Sequence, residues 1–496
     1  MVGEVSRDPF NLAAHVLAAG AETPGKTALS VGPGAEDWSF GALIEAVRGT
    51  ATGLLSRGAA PGDIVLLRLG NTPDFPLAYL GALAAGLVPV PTAAALTERD
   101  VAGIITQLSP KLVVRDAGVA CPAHPDEVTL AELRAMRRLA PAAWHFGDPE
   151  RLGYIIYTSG TSGRPMAVMH AHRAILARQL MFDGWYGLRA EDRVMHAGAF
   201  NWTYTLGTGL MDPWTAGATA QIPAPGTAPG DLPALMAAGE TTIFAAAPGV
   251  YRQMLGRGAL PALPALRHGL SAGEKLPEPL RAAWCAATGT AVHEAFGMSE
   301  CSTFISGAPG RPAAPGALGA AQAGRRVAII GPQGPLPAGA PGVIAVHRED
   351  PGLMLGYFGA PEATAARYQG DWFLTGDQGR ADVTGQITYL GRADDMMNAG
   401  GFRVSPLEIE AVLAGFEGIT AVGAAEVTVK QDVRVIAAFY TAAHPLDEAA
   451  LHRYAADKLA RYKQPRLYVH LPALPTSSNG KLQRHALRQL YESRTP

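Results

Sequence analysis

From about residue 27 onward, short apolar runs such as Ile64-Val65-Leu66-Leu67 alternate with alanine-rich stretches of helical character such as Leu77 to Gly86. In such an alternation a helix separates consecutive strands, and this predicts an α/β protein built mainly on parallel sheets. With 496 residues and 48% hydrophobic content, the chain has material for large buried cores and for two or more domains.

The uncharged run from Phe75 to Leu96 is long enough to span a bilayer. Its alanines and glycines are only weakly apolar, however, and Pro89-Val90-Pro91 interrupts it. The expectation is a buried helix followed by a strand or loop, with no membrane span. The opening MVGEVSRDPFNLAAHV mixes acids with bases and has no apolar core ending in a cleavable site, so no secretory signal is expected. Lys plus Arg (41) nearly balance Asp plus Glu (43), which gives no electrostatic reason for a nucleic-acid partner and favours a small or medium ligand. Cys121, Cys285 and Cys301 form no CxxC pair. That argues against structural zinc, fits a reducing cytoplasm and makes each a small core residue by expectation. Proline- and glycine-rich segments at 222–234 and 306–324 read as surface loops.

The pattern changes after about Arg392. A helix is expected over Pro406 to Leu413, strands over Ile419 to Val427 and Val433 to Tyr440, and a helix over Asp447 to Ala460. Between His452 and Pro496, nine Lys or Arg face two Asp or Glu. This is either a solvated basic surface or a second domain that approaches polyphosphates.

Four segments carry chemistry. In Thr158-Ser159-Gly160-Thr161-Ser162-Gly163, hydroxyls alternate with glycines directly after the strand-like Leu152 to Tyr157. Glycines let backbone amides approach phosphate oxygens, and the hydroxyls add donors. The string is not a Walker loop, and taken alone a generic Ser/Gly turn competes with the phosphate reading. The second segment pairs GLSAGEKLP (Gly269 to Pro277) with HEAFGMSE (His293 to Glu300). There an aromatic beside a glycine can cover a flat heterocycle, and Glu300 offers oxygen to magnesium. The third runs from Phe373 to Leu413, and its Asp377 can accept from both ribose hydroxyls. The fourth, LPTSSNGKLQRHALR, presents Lys481 on a loop before a helix.

In this order and at these separations the four segments resemble the adenylate-forming superfamily of acyl-CoA synthetases, peptide-synthetase adenylation domains and luciferases, over essentially the whole chain. The resemblance implies a large N-terminal domain, residues 1–393, with several subdomains and parallel sheets. It also implies a small mobile α+β C-terminal domain, residues 394–496, hinged at Asp394. It further implies a ligase that joins a carboxylate to the α-phosphate of ATP with Mg2+, releases pyrophosphate and passes the acyl group to coenzyme A. Lys481 matches the catalytic lysine, Ser299 a hydroxyl position usually held by threonine, and Glu300 the magnesium-associated glutamate. Thr158, Ser159, Gly160, Thr161, Ser162 and Gly163 match the phosphate loop, and Gly273, Glu274, Glu294 and Phe296 the adenine region. Asp377 and Arg392 match the residues on the ribose. Gly400, Gly401, Phe402 and Arg403 would line the pantetheine tunnel, with Arg461, Lys463 and Arg466 as candidates for the CoA phosphates.

His196 to Ala220 and Phe244 to Leu255 resemble the acyl-holding segments of benzoate and medium-chain acyl-CoA ligases. Trp202, Tyr204, Ala247, Gly273, Gly297 and Met298 are then expected pocket walls, against the general tendency of such aromatics to be core. The only Lys or Arg in those segments, Arg252, reads as lying beyond the pocket, and no aspartate stands where amino-acid-activating domains anchor an amine. The expected substrate is an aromatic or medium-chain monocarboxylic acid. Met166 and Ala167 stand where most relatives have lysine and glycine, a change that should weaken ATP or pyrophosphate contacts modestly. Two other readings stay open: an adenylating enzyme that loads an aryl or fatty acid onto a carrier protein, and a nucleotide-binding regulator without turnover. The expected location is the cytoplasm, and a homodimer is left open.

Overall fold

The helix expected within Phe75 to Leu96 forms as Asp74–Ala84, with all of its residues buried. It packs on the helix Phe40–Ser56, where a Cβ on Gly81 would sit 2.6 Å from Thr50 Cγ2. The prolines then fall in the strand Val88–Pro91, at the edge of a four-stranded parallel sheet whose next strands are Ile64–Arg68, Leu112–Arg115 and Glu127–Thr129. An edge strand tolerates the missing N–H donor of proline. Among the described residues no helix is long and apolar enough to cross a membrane.

The structure is a computed structural model that describes residues 8–32, 34–158, 165–392, 395–399, 402–430, 433–476 and 482–493. Two units divide the chain: Met1–Val327 with Val346–Asp371, and Ala328–Ala345 with Trp372–Pro496. The expected hinge Asp394 lies outside the described residues.

In the first unit a second sheet places Arg193–Ala197, Ile243–Ala246, His268–Ala272 and Val292–Met298 side by side and parallel. Ser302–Ser306 returns antiparallel beside the last of these. The 306–324 segment, expected as loop, contributes the strand Gly319–Ala321, which pairs with Ser302–Ser306. Gly319 makes this pairing possible: its φ is +120°, and a Cβ would lie 2.1 Å from the Ser306 carbonyl. The 222–234 segment holds the short 3-10 turn Pro229–Asp231. A third, antiparallel sheet joins Leu152–Tyr157, Ala167–Ala171 and Gly356–Tyr357. Cys121 and Cys301 are buried as expected, but Cys285 is exposed, because it lies on the solvent side of the helix Glu278–Thr288, of which only Trp284 is buried.

In the second unit Trp372–Ala381 and Gln386–Arg392 form an antiparallel pair. The helices Pro406–Leu413 and Glu448–Lys458 and the antiparallel strands Ala421–Lys430 and Val433–Thr441 lie close to their expected bounds. Leu467–His470 adds a parallel strand beside Val433–Thr441.

Among the described residues burial lowers six imidazoles of the first unit from 6.5: His15, then His170, His268 and His293 to about 4, and His172 and His196 to about 3. Unfolded, these rings take up protons below pH 6.5 that the native rings refuse until near pH 4, so their contribution to stability is present above 6.5 and is lost on acidification. The urea midpoint of unfolding should therefore fall steeply between pH 6.5 and 5. A midpoint that stays flat through that window would show that the rings protonate while folded.

Candidate active site

Ligands of parallel α/β sheets bind outside the carboxyl ends of the strands. Here the register aligns Ala197 with Ala246, Ala246 with Ser271, and Ser271 with Glu294. One sheet edge therefore delivers Trp202, Ala247, Gly273, Glu274, Phe296, Gly297 and Met298. Residues nearly one hundred positions apart are brought together by hydrogen-bond register alone. Gly273 has φ +96°, and a Cβ there would lie 2.6 Å from the Trp202 indole. Any side chain at this position would collide with the ring. At Gly297 a Cβ would lie 2.2 Å from the Ser302 carbonyl oxygen, so the bulge between Phe296 and Gly297 also requires glycine. Phe296 meets Phe304 edge-on at 5.5 Å.

Two expected site residues hold the scaffold. Tyr204 is buried between Trp185 and Trp202, and its hydroxyl donates to the Leu270 carbonyl at 3.1 Å. Glu294 is buried; its carboxylate accepts from Leu276 N at 2.9 Å and Arg281 Nη2 at 3.1 Å, with Lys275 Nζ at 3.4 Å. Burial raises its pKa and the two cations oppose that rise. Glu294 thus pins the loop that carries Gly273 and Glu274. Arg252 is exposed on the helix Pro248–Leu255.

The hairpin Leu152–Tyr157 and Ala167–Ala171 carries the expected phosphate loop. Thr158 and Met166 close its base: Thr158 N donates to the Met166 carbonyl at 3.0 Å, and Met166 N donates to Thr158 Oγ1 at 3.4 Å. Ser159, Gly160, Thr161, Ser162 and Gly163 lie outside the described residues. The second strand of the hairpin fixes the Ser299-Glu300 corner in two ways. His170 Nε2–H donates to the Ser299 carbonyl at 2.7 Å, an acceptor that dictates the ring tautomer. Tyr357, paired with Val168, donates its hydroxyl to Glu300 Oε1 at 2.7 Å. Met354 N adds a bond to the Glu300 carbonyl at 2.8 Å. Beyond the corner, the fully buried pair Arg325–Asp350 anchors the chain: Arg325 Nη2 donates to the Cys301 carbonyl at 2.9 Å, and Nη1 to the Thr303 carbonyl at 3.1 Å.

In the second unit the strand register sets Asp377 opposite Arg392. Tyr389 donates to Asp377 Oδ1 at 2.9 Å, and Arg392 Nη1 lies 3.4 Å from Oδ2. The pair is a carboxylate held for bidentate acceptance beside a guanidinium. Arg484 bridges Asp395 and Glu410. Lys463 is taken up by Glu408, whereas Arg461 and Arg466 are exposed. Phe402 and Arg403 lie on a strand that pairs with Met397–Ala399. Lys481, Gly400 and Gly401 lie outside the described residues.

The description of AMP-binding enzymes matches residues 16–358. The chain belongs to that family. It is 30% identical to a 3-hydroxybenzoate–CoA ligase of Aromatoleum sp. (strain CIB) over 495 residues, covering 93% of each chain. Among solved structures, ATP-bound MatB from Rhodopseudomonas palustris matches with a TM-score of 0.90 at 26% identity, over 98% of this chain and 99% of that one. The anthranilate CoA ligase AuaEII in complex with anthranoyl-AMP matches with a TM-score of 0.88 at 25% identity, over 97% of each.

For an AMP-binding enzyme, His170, Tyr357 and Tyr389 are the residues that sequence reasoning missed. None sits in a motif that announces its role; the bonds of His170 and Tyr357 to the Ser299-Glu300 corner span 129 and 57 residues. Met166 touches the loop base through its backbone, and its side chain is half-buried. Met166→Lys should therefore keep the melting temperature and leave the apparent KM for ATP unchanged or lowered by up to about tenfold, the worth of one charge-assisted hydrogen bond. A large loss of activity would mean that the thioether packs for another purpose.

Proposed function

We propose that this AMP-binding enzyme is an ATP-dependent carboxylate:CoA ligase acting on an aromatic or medium-chain monocarboxylic acid, with aromatic acids preferred. The observation that carries the reading is the Ser299-Glu300 corner, held at the carboxyl edge of the parallel strands by the hairpin that bears the phosphate loop. The full-length similarity to an aromatic acid ligase supports it.

In the first half-reaction a carboxylate oxygen of the acid bonds to the α-phosphorus of ATP, and the bond to the bridging oxygen of pyrophosphate breaks. In the second, the CoA thiol gives up its proton, its sulfur bonds to the acyl carbon, and AMP leaves. Both reactants of the first half are anions, so preorganised donors and cations must oppose their repulsion. We assign Phe296, Gly273 and Glu274 to the adenine, and Asp377 with Arg392 to the ribose hydroxyls. Thr158 to Gly163 and the Ser299 hydroxyl would hold phosphate oxygens, and Lys481 would bridge carboxylate and α-phosphate. Asp394 would serve as hinge, and Gly400 to Arg403 would receive the pantetheine arm.

Among the described residues no three His, Cys, Asp or Glu side chains gather to hold a metal. Glu300 instead presents one carboxylate, with Oε1 steadied by Tyr357. That donor set fits Mg2+, which binds through one or two carboxylates plus substrate phosphates. When bound, the ion would supply positive charge to the phosphates. The three free cysteines suit a reducing compartment, and we place the protein in the cytoplasm.

Pyrophosphate release with benzoates and straight-chain acids, measured with and without CoA, tests the assignment. Release with an aromatic acid and matching loss of CoA thiol are expected; release with no acid, or release without thiol loss, refutes it. Lys481→Ala should cut adenylation at least about 100-fold and spare thioester formation from supplied acyl-adenylate. Equal loss in both halves would overturn the role given to the lysine.

A further inference from the structure

Beneath the Trp202 wall the chain runs as one helical stretch, Thr203–Leu206, Gly207–Met211 and Asp212–Thr215, whose middle turn is π-helical. Widened turns of this kind recur at functional sites. Two glycines make room there: a Cβ on Gly207 would strike the Arg178 guanidinium, and one on Gly209 would lie 2.6 Å from His196 Cβ.

The polar groups packed around this turn fall into two sets. Arg178 and Asp212 form a buried bidentate pair at 2.9 and 2.6 Å. Tyr186 donates to Asp212 at 2.7 Å and bonds Thr208 at 2.8 Å, so this set is internally satisfied and its charge neutralised. The second set is His196 and Thr205, 1% and 0% exposed. Neither ring nitrogen of His196 nor Thr205 Oγ1 has a hydrogen-bond partner. A buried polar atom without a partner keeps the full cost of its desolvation, which a bonded ligand would offset. Two of the orphan atoms lie close together at the carboxyl end of Arg193–Ala197, since a Cβ on Gly198 would lie 2.3 Å from Thr205 Oγ1 and 3.3 Å from His196 Nδ1. They also continue the proposed acyl wall: Trp202 lies over Gly273, Tyr204 meets Trp202 at 5.2 Å, and His196 meets Tyr204 at 4.4 Å.

We infer that His196 and Thr205 form a polar notch at the acyl pocket that binds a hydroxyl or amino substituent on the ring of an aromatic acid. This rests on the ligase reading above. Burial keeps the imidazole neutral, so it offers one donor and one acceptor, and the threonine hydroxyl offers both. A phenolic hydroxyl or an aromatic amine can meet such a set. An alkyl chain or an unsubstituted ring leaves all three atoms unpaired, and sites built to bond a substituent reject analogues that lack it. Arg178 is already spent on Asp212, which disfavours a second carboxylate.

The test compares kcat/KM for pyrophosphate release with benzoate, the three hydroxybenzoates and the three aminobenzoates. At least one substituted isomer should exceed benzoate by about tenfold or more. For that isomer, the ratio to benzoate should fall at least about fivefold in Thr205→Val, which preserves side-chain shape, and in His196→Phe. Benzoate used as well as every substituted acid, or a ratio unmoved in Thr205→Val, would overturn the inference while leaving the ligase reading intact. Release with none of the acids would overturn both.

Discussion

The strand Ala167–Ala171 is the constraint on which the proposed chemistry of the first unit depends. It follows directly on the segment proposed as the phosphate loop, His170 fixes the Ser299 carbonyl, and its partner strand supplies Tyr357 to Glu300. One short antiparallel sheet therefore positions both the base of that segment, at Thr158 and Met166, and the Glu300 carboxylate. A shift in its register by one residue would turn His170 to the other face and release the corner. Burial makes these bonds costly to break. His170 is held near a pKa of about 4 and so stays neutral as a donor, and the Tyr357 phenol is pushed above its usual range by burial and by Glu300.

The parallel sheet contributes in a different way. Its strands carry little chemistry along most of their length, and the residues that matter sit at or just beyond their carboxyl ends. Gly273 and Gly297 are placed there by steric demand, the first against an indole and the second against a backbone carbonyl. Glu294, expected at the nucleotide, braces the loop before it through Leu276, Lys275 and Arg281. Tyr204 likewise braces the pocket from within the core.

Much of this was legible in the sequence because it is local. Hydrophobic alternation gave the parallel sheets, the Pro89 and Pro91 break ended the buried helix, and the spacing of Asp377 and Arg392 survives as direct cross-strand neighbours. The helices and strands expected after Arg392 appear near their predicted bounds. Misreadings arose where a distant partner decides. Cys285 is as small and apolar as Cys301, but its helix turns it to solvent. The glycine-rich stretch after residue 306 pairs as a strand because Ser302–Ser306 is there to receive it.

The sequence by itself determined the α/β class and the order of the four motif segments, and hence the family. These depend on residue type and short spacing, which a chain displays without folding. Only the tertiary structure decided which polar groups are satisfied. That Tyr357 steadies Glu300, that His170 holds Ser299, and that His196 and Thr205 remain unpaired while Arg178 and Asp212 neutralise each other all depend on contacts between elements remote in the chain. A hydrogen bond needs its partner within about 3 Å, and no spacing along a sequence fixes a distance of that kind between two separate elements.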